Sequence, residues 1–163
     1  MQKAIKALSD IHSNKLGYTV LAYDLGRHCG FAYTKNSEVF YGTKDIRSKA
    51  WEQEFSLWTI ENEATINPLM VCVEKPNAGI PGFHAKKIHF GMRALIEVAH
   101  GRTVPIKDYS AKAVKKFVTG NGNASKEEML KCISEITKTE VKTFDEADAI
   151  GILLNFVSDI ILP

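Results

Sequence analysis

The chain has 163 residues, 45% hydrophobic and 25% charged, which suffices for one compact core and excludes two ordinary domains. Its net charge is only +2, but nine basic residues against two acidic ones fall between His84 and Lys126, so a +7 block is set against −5 elsewhere, the distribution that a metal-holding phosphate-backbone binder needs and that a solvated basic face more commonly produces. No apolar run approaches the roughly 20 residues of a membrane span, and the Lys-containing start is followed by no long apolar stretch, so neither a span nor a secretory leader is expected.

Cys29, Cys72 and Cys132 are odd in number and never spaced as Cys-x-x-Cys, which fits a reducing cytoplasm and no cysteine zinc site. Residues 1–17 read as a short amphipathic helix or arm preceding one domain over 18–163. Tyr18 to Tyr23 is a continuous apolar and β-branched run, the pattern of a central strand buried on both faces, and it ends at Asp24. Gly30–Thr34 and Glu38–Gly42 read as a meander joined by Lys35-Asn36-Ser37. Arg47–Ile66 reads as a helix with Trp51 and Trp58 facing the core. Pro68 then separates it from a second buried-type strand, Leu69–Val73, which ends at Glu74.

Residues 75–83 read as a Pro- and Gly-rich loop, His84–His100 as a helix, and Thr103–Ile106 as a short strand. A helix opens near Ser110 and stops before the Gly/Asn segment 119–124. Ser125 with Glu128 forms a capping-box pattern that starts another helix, and the last helix begins near Phe144. This order predicts an α/β domain in which a meander leads into crossover connections.

If the strands ending at Asp24 and Glu74 are parallel neighbours, their side chains sit about 5 Å apart. Two anions so placed repel each other and require a metal or a shared proton. Asp145 and Asp148, three residues apart, project from one face at the start of the last helix. Charge stabilisation of the helix N-terminus explains Asp145 and Glu146 well and Asp148 less well. Oxygen-only ligands of this kind suit Mg²⁺ or Mn²⁺, and a pair of such ions assists phosphodiester hydrolysis. Lys112, Lys115 and Lys116 fall at helical spacing, and Lys86, Lys87 and Arg93 lie on the preceding helix; both sets suit a phosphate backbone. Asn121 and Asn123 make a polar tip able to approach phosphate. Asp10-Ile11-His12 resembles a metallophosphoesterase opening, but no buried strand precedes it. The histidines, His28 and His89 among them, lack paired metal spacing and read as surface or packing residues, with His84 and His89 possible DNA contacts.

Four blocks in order, Asp24-Leu25-Gly26 with Gly30 and Ala32, Val73-Glu74, Lys115 through Lys126, and Asp145-Glu146-Ala147-Asp148-Ala149, resemble the RuvC family of Holliday junction resolvases in the RNase H-like superfamily. The resemblance implies an RNase H-like fold, a five-stranded mixed β-sheet flanked by α-helices. It implies Asp24, Glu74, Asp145 and Asp148 as a tetrad for two Mg²⁺ or Mn²⁺ ions, Lys126 beside the scissile phosphate and Lys115 on the DNA backbone. It further implies a homodimer that nicks four-way junctions and other branched DNA in the bacterial cytoplasm, with a short chain more like phage-borne members. The family's aromatic residue after the strand-end glutamate is missing, since Lys75-Pro76-Asn77 follows Glu74, and Phe83 is the candidate substitute. A YqgF-type RNA nuclease and a non-catalytic junction binder are the competing expectations.

Overall fold

A computed structural model describes residues 1–75, 82–100 and 104–161, without the side chains of residues 83 and 84. Helix α1, Gln2–His12, places Ala4, Ala7, Leu8 and Ile11 on one buried stripe, the spacing an amphipathic helix needs to cover a core. It packs against α6, so the N-terminal segment covers part of the core of residues 18–161. Strands β1 (Val20–Asp24), β2 (His28–Lys35) and β3 (Glu38–Asp45) follow. Asn36 and Ser37 both adopt positive φ, 52° and 64°, which is what a two-residue hairpin loop of the primed type demands.

Helix α2, Trp51–Ile66, starts four residues later than the sequence pattern suggests. Arg27 explains this, because its guanidinium donates to the Ile46 and Ser48 carbonyls and holds that approach segment out of a helical path. Asn67 ends α2 in the left-handed region and Pro68 prevents its resumption. Then come β4 (Met70–Glu74), α3 (Phe83–His100), β5 (Ile106–Tyr109), α4 (Ala111–Thr119), α5 (Lys126–Thr137) and α6 (Phe144–Ile161). The expected strand at 103–106 lies further along. Ile106 pairs with Val71 and Tyr109 with Glu74, while Pro105 has no N–H to give and serves only as acceptor for Val71; Thr103 lies outside the described residues.

The five strands run in the order β3-β2-β1-β4-β5, antiparallel through β3, β2 and β1 and parallel through β1, β4 and β5, as a mixed sheet. Both faces are covered, which is why β1 is apolar at consecutive positions. Val20, Ala22, Ala32 and Cys72 face α1, α4, α5 and α6, where Ile150, Leu153, Leu154 and Val157 are fully buried. Leu21, Tyr23, Val71 and Val73 face Phe55 of α2 and Ile88, Met92 and Ile96 of α3. Trp51 is buried beside Gly91, and Trp58 packs edge-on to Tyr23 at 5.6 Å. No helix among the described residues is long and apolar enough to cross a membrane.

Candidate active site

The register of the sheet brings the acids to one end. Tyr23 pairs with Val73, so Asp24 and Glu74 follow as the next residues of two parallel neighbours and share the face covered by α6. On the other side Asp24 pairs with Gly30 of β2. A Cβ on Gly30 would lie 2.0 Å from the Asp145 carbonyl oxygen, so only glycine lets the start of α6 rest directly on β2. A hydroxyl contact of 3.1 Å between Thr43 and Thr143 adds to this seam.

The acids at the start of α6 divide their work. Thr143 Oγ1 accepts from the Glu146 N–H, and Glu146 Oε2 accepts from the Lys142 and Thr143 N–H groups, each at 3.1 Å, so Glu146 is the capping residue. Asp145 and Asp148 instead line a cleft of about 300 Å³ with Asp24, Glu74, Lys115 and Lys126. Asp145 thus stands in the first turn of α6, where the sequence reading put it, and also lines the cleft with the other carboxylates.

Burial raises the pKa of each of the four. Asp24 is pushed well above the usual carboxylate range by desolvation, then by Glu74, Asp148 and Asp145, with Lys126 opposing. Glu74 is pushed up to about 7 by burial and then by Asp148, and Asp148 to about 6 by burial, with Lys126 and Lys115 lowering both. Asp145 is raised by burial and lowered by Lys126 and His28. Four acids sharing so few cations leave an anionic excess that an external cation would relieve. Among the described residues no three side chains of the ligating types already enclose a single point. The fit to a divalent ion rests on the all-oxygen donor set and on this charge.

The lysines are placed by the α4–α5 turn. Ser110 caps α4, Gly120 ends it at φ 85°, and Ser125 and Glu128 form the reciprocal box that opens α5 at Lys126. The Lys115 ammonium donates to the Ala124 carbonyl at 2.8 Å, tying α4 to the residue before that cap. Lys126 Nζ lies 5.8 Å from the Phe144 ring centroid, a cation–π contact that holds it over the start of α6.

The remaining predicted contacts scatter. Lys112 and Lys116 are exposed on α4, whereas Lys115 turns inward, so the three do not form one uniform stripe. Asn121 and Asn123 build a hydrogen-bonded turn, the Asn123 N–H donating to Asn121 Oδ1 at 3.0 Å, rather than a loose tip. Lys86 and Lys87 lie on α3 and do not line the cleft. Arg93 is bound by Asp108 and Glu97, each at 2.9 Å, which neutralises the charge expected to meet a backbone. Phe83 opens α3, and its side chain lies outside the described residues, as do Pro76 and Asn77.

Two histidines read from the sequence as surface or packing residues, His89 also as a DNA contact, line the cleft. His89 is buried, its Nε2 3.5 Å from the Glu74 carbonyl, and burial lowers its pKa. His28 lines the cleft beside Asp145. Period-two counting back from Gly30 would have put His28 on the carboxylate face, had the pairing of Gly30 with Asp24 been known.

Known proteins resemble this chain in sequence and in fold. The family described as crossover junction endodeoxyribonuclease RuvC matches residues 88–156. The RuvC endonuclease of Salinibacter ruber is 39% identical over 84 residues, 50% of this chain and 47% of that protein, so the chain spans about half the length of that relative. The one from Brachyspira hyodysenteriae is 28% identical over 142 residues, 80% of this chain and 87% of that protein. Among solved structures, Thermus thermophilus RuvC in complex with Holliday junction substrate superposes with a TM-score of 0.72 at 20% identity, covering 88% of this chain and 94% of the other. The yeast mitochondrial Holliday junction resolvase superposes at 0.62 with 15% identity, covering 93% of this chain and 83% of the other. The chain thus resembles RuvC endonucleases in sequence and shares the fold of the solved RuvC and Holliday junction resolvase structures.

Proposed function

We propose that this protein is a divalent-metal-dependent, structure-selective endonuclease that nicks phosphodiester bonds in four-way DNA junctions and related branched DNA. The observation that carries the reading is the convergence of Asp24, Glu74, Asp145 and Asp148 from β1, β4 and α6 on one cleft flanked by Lys115 and Lys126. A pure binding protein gains nothing from four acids facing phosphate, whereas a metal-dependent hydrolase requires them. RuvC relatives bear the name of this activity, and the Thermus thermophilus neighbour is bound to a junction.

Asp24, Glu74, Asp145 and Asp148 would hold Mg²⁺ or Mn²⁺, with room in the donor set for two ions. Once bound, such ions neutralise the acids, polarise the phosphate and lower the pKa of water. The chain's own residues do the rest. Lys126 stabilises negative charge that develops on the phosphate, and its contact with Phe144 limits where the ammonium swings. Lys115 fixes the α4–α5 turn from which Lys126 projects. Lys112 and Lys116, exposed on α4, extend positive charge away from the cleft along the path of a strand. A homodimer accords with Leu57 and Ile60 on α2 and Phe90 and Val98 on α3, apolar side chains at least half exposed, and action in the bacterial cytoplasm accords with the free thiols of Cys29, Cys72 and Cys132.

The test is cleavage of end-labelled four-way junction, three-way junction, linear duplex and structured RNA by wild type and Asp24→Asn, with Mg²⁺, Mn²⁺ or EDTA. Paired nicks in the four-way junction that need metal and vanish in the variant are expected. Preferential cutting of RNA would point to the YqgF-type activity, and metal-independent binding without cutting would leave a junction scaffold.

A further inference from the structure

The cleft carries a further side chain, His28, that neither the carboxylate set nor the lysines account for. Its place follows from register. Asp24 pairs with Gly30, and His28, two residues before Gly30 on β2, pairs with Asp45 on β3. Alternate residues of a strand share a face, so Asp45, His28, Asp24 and Glu74 succeed one another across a single sheet end on the α6 side. Helix α6 rests on this face at Gly30, and Asp145 lines the same cleft as His28.

The ring is held from behind. His28 Nδ1 bonds to Asp45 Oδ1, and the other Asp45 oxygen receives the Arg47 guanidinium at 2.7 Å. An ionised carboxylate only accepts, so Nδ1 is the donor and the ring orientation is set. Among the described residues no partner meets Nε2. The side chain is 55% exposed, too open for a packing role, yet it is tethered, which a merely solvated histidine does not need. In the strand order β3-β2-β1-β4-β5, His28 on β2 lies to one side of Asp24 and Glu74, and Lys115 comes from α4, which follows β5 at the opposite edge.

We propose that His28 is a further substrate-contacting residue: oriented by Asp45 and Arg47, its imidazole donates from Nε2 to a phosphate oxygen of the bound strand on the Asp145 side of the cleft. This rests on the nuclease reading above. In the protonated ring both nitrogens donate, one to Asp45 and one to phosphate. Asp45 and Arg47 are positioning residues that act through the ring. A strand passing over the acids would then be met by Lys115 and Lys126 on one flank and by His28 on the other, which counters the repulsion between phosphate and any acid not neutralised by metal.

The experiment is single-turnover cleavage of an end-labelled four-way junction with Mg²⁺ by the full chain, comparing wild type, His28→Ala, His28→Gln, Asp45→Asn and the His28→Ala/Asp45→Asn double variant. His28→Ala is expected to slow cleavage about 10²-fold, the lower end of the effect of removing one donor to an oxyanion. His28→Gln, which keeps an amide donor, recovers part of that loss. Asp45→Asn slows cleavage less, and the double variant is no slower than His28→Ala, because Asp45 has nothing left to orient. Unfolding midpoints of the variants stay close to wild type, whereas a purely structural histidine would move the midpoint and leave the rate of folded protein unchanged. A wild type that cuts while His28→Ala cuts within about twofold of it, or losses that multiply in the double variant, would overturn this inference alone. A wild type that cuts no branched DNA would overturn the nuclease reading and this inference together.

Discussion

Asp10 and Asp24 are both carboxylates drawn out of solvent, and the protein treats them in opposite ways. Asp10, on α1, is 2% exposed and receives Lys6 and Lys15 at 2.7 Å each, so its pKa falls below the usual value. Asp24 sits among three further acids, and its pKa rises. One site is satisfied by the chain's own cations and the other is left anionic. Paired buried charge is architecture, and unrelieved buried charge of one sign marks a place where something else binds. The Asp10-Ile11-His12 motif falls on the architectural side, since its aspartate is already occupied.

The contrast is broken most severely at the anionic end. Asp24→Asn is expected to lower junction cleavage by about 10³-fold or more while junction binding persists, measured by single-turnover kinetics beside a gel-shift titration. Lys126→Ala should cost about 10²-fold in the same assay, since it removes the cation that acts on all four acids. Gly30→Ala attacks the approach of α6 rather than the chemistry. Its Cβ has no room against the Asp145 backbone, so denaturant unfolding should show a loss of about 3 kcal/mol, with cleavage reduced through displacement of Asp145 and Asp148.

The pH dependence of stability sharpens the same comparison. Glu74 titrates near 7 in the folded chain against 4.5 for an unperturbed glutamate, and Asp148 near 6 against 3.8. Both are raised acids, so the stability they lend is complete below the unfolded values and is lost as pH rises through the folded ones. Without divalent cation the unfolding midpoint should therefore fall between about pH 4 and 7, and Mg²⁺ or Mn²⁺ should restore it at pH 8. The Asp10 contribution has the reverse sign, present above 3.8 and lost as pH falls through its lowered folded value. Thermal scans with and without EDTA would separate the two. The smallest expected effect is that of Glu146→Ala, which removes one half of the α6 cap at about 1 kcal/mol and leaves Asp145 and Asp148 in place.

Legibility in the sequence followed the range of the interaction. Local signals read well. The apolar runs that end in Asp24 and Glu74, the Ser125–Glu128 box and the Phe144 start of α6 all announce themselves within a few residues. Features that depend on a distant partner did not. Arg93 looks like a DNA contact until Asp108, fifteen residues away on β5, claims it. Arg47–Ala50 reads as the start of a helix, but Arg27 from another loop holds the carbonyls of Ile46 just before it and of Ser48 within it. The orientation of His28 requires the β2–β3 register, and the inward turn of Lys115 requires the Ala124 carbonyl nine residues on. The docking of α1 on α6 joins the two ends of the chain, and only the stripe from Ala4 to Ile11 hinted at it.

The most direct single measurement sets the two aspartates side by side: the single-turnover rate of four-way junction cleavage with Mg²⁺ for Asp10→Asn and Asp24→Asn against wild type. Asp10→Asn is expected to cut at the wild-type rate, though less stable, and Asp24→Asn to fall by about 10³-fold while remaining folded. Equal rates for all three proteins, or a loss confined to Asp10→Asn, would contradict the assignment of the unrelieved carboxylates as the catalytic centre.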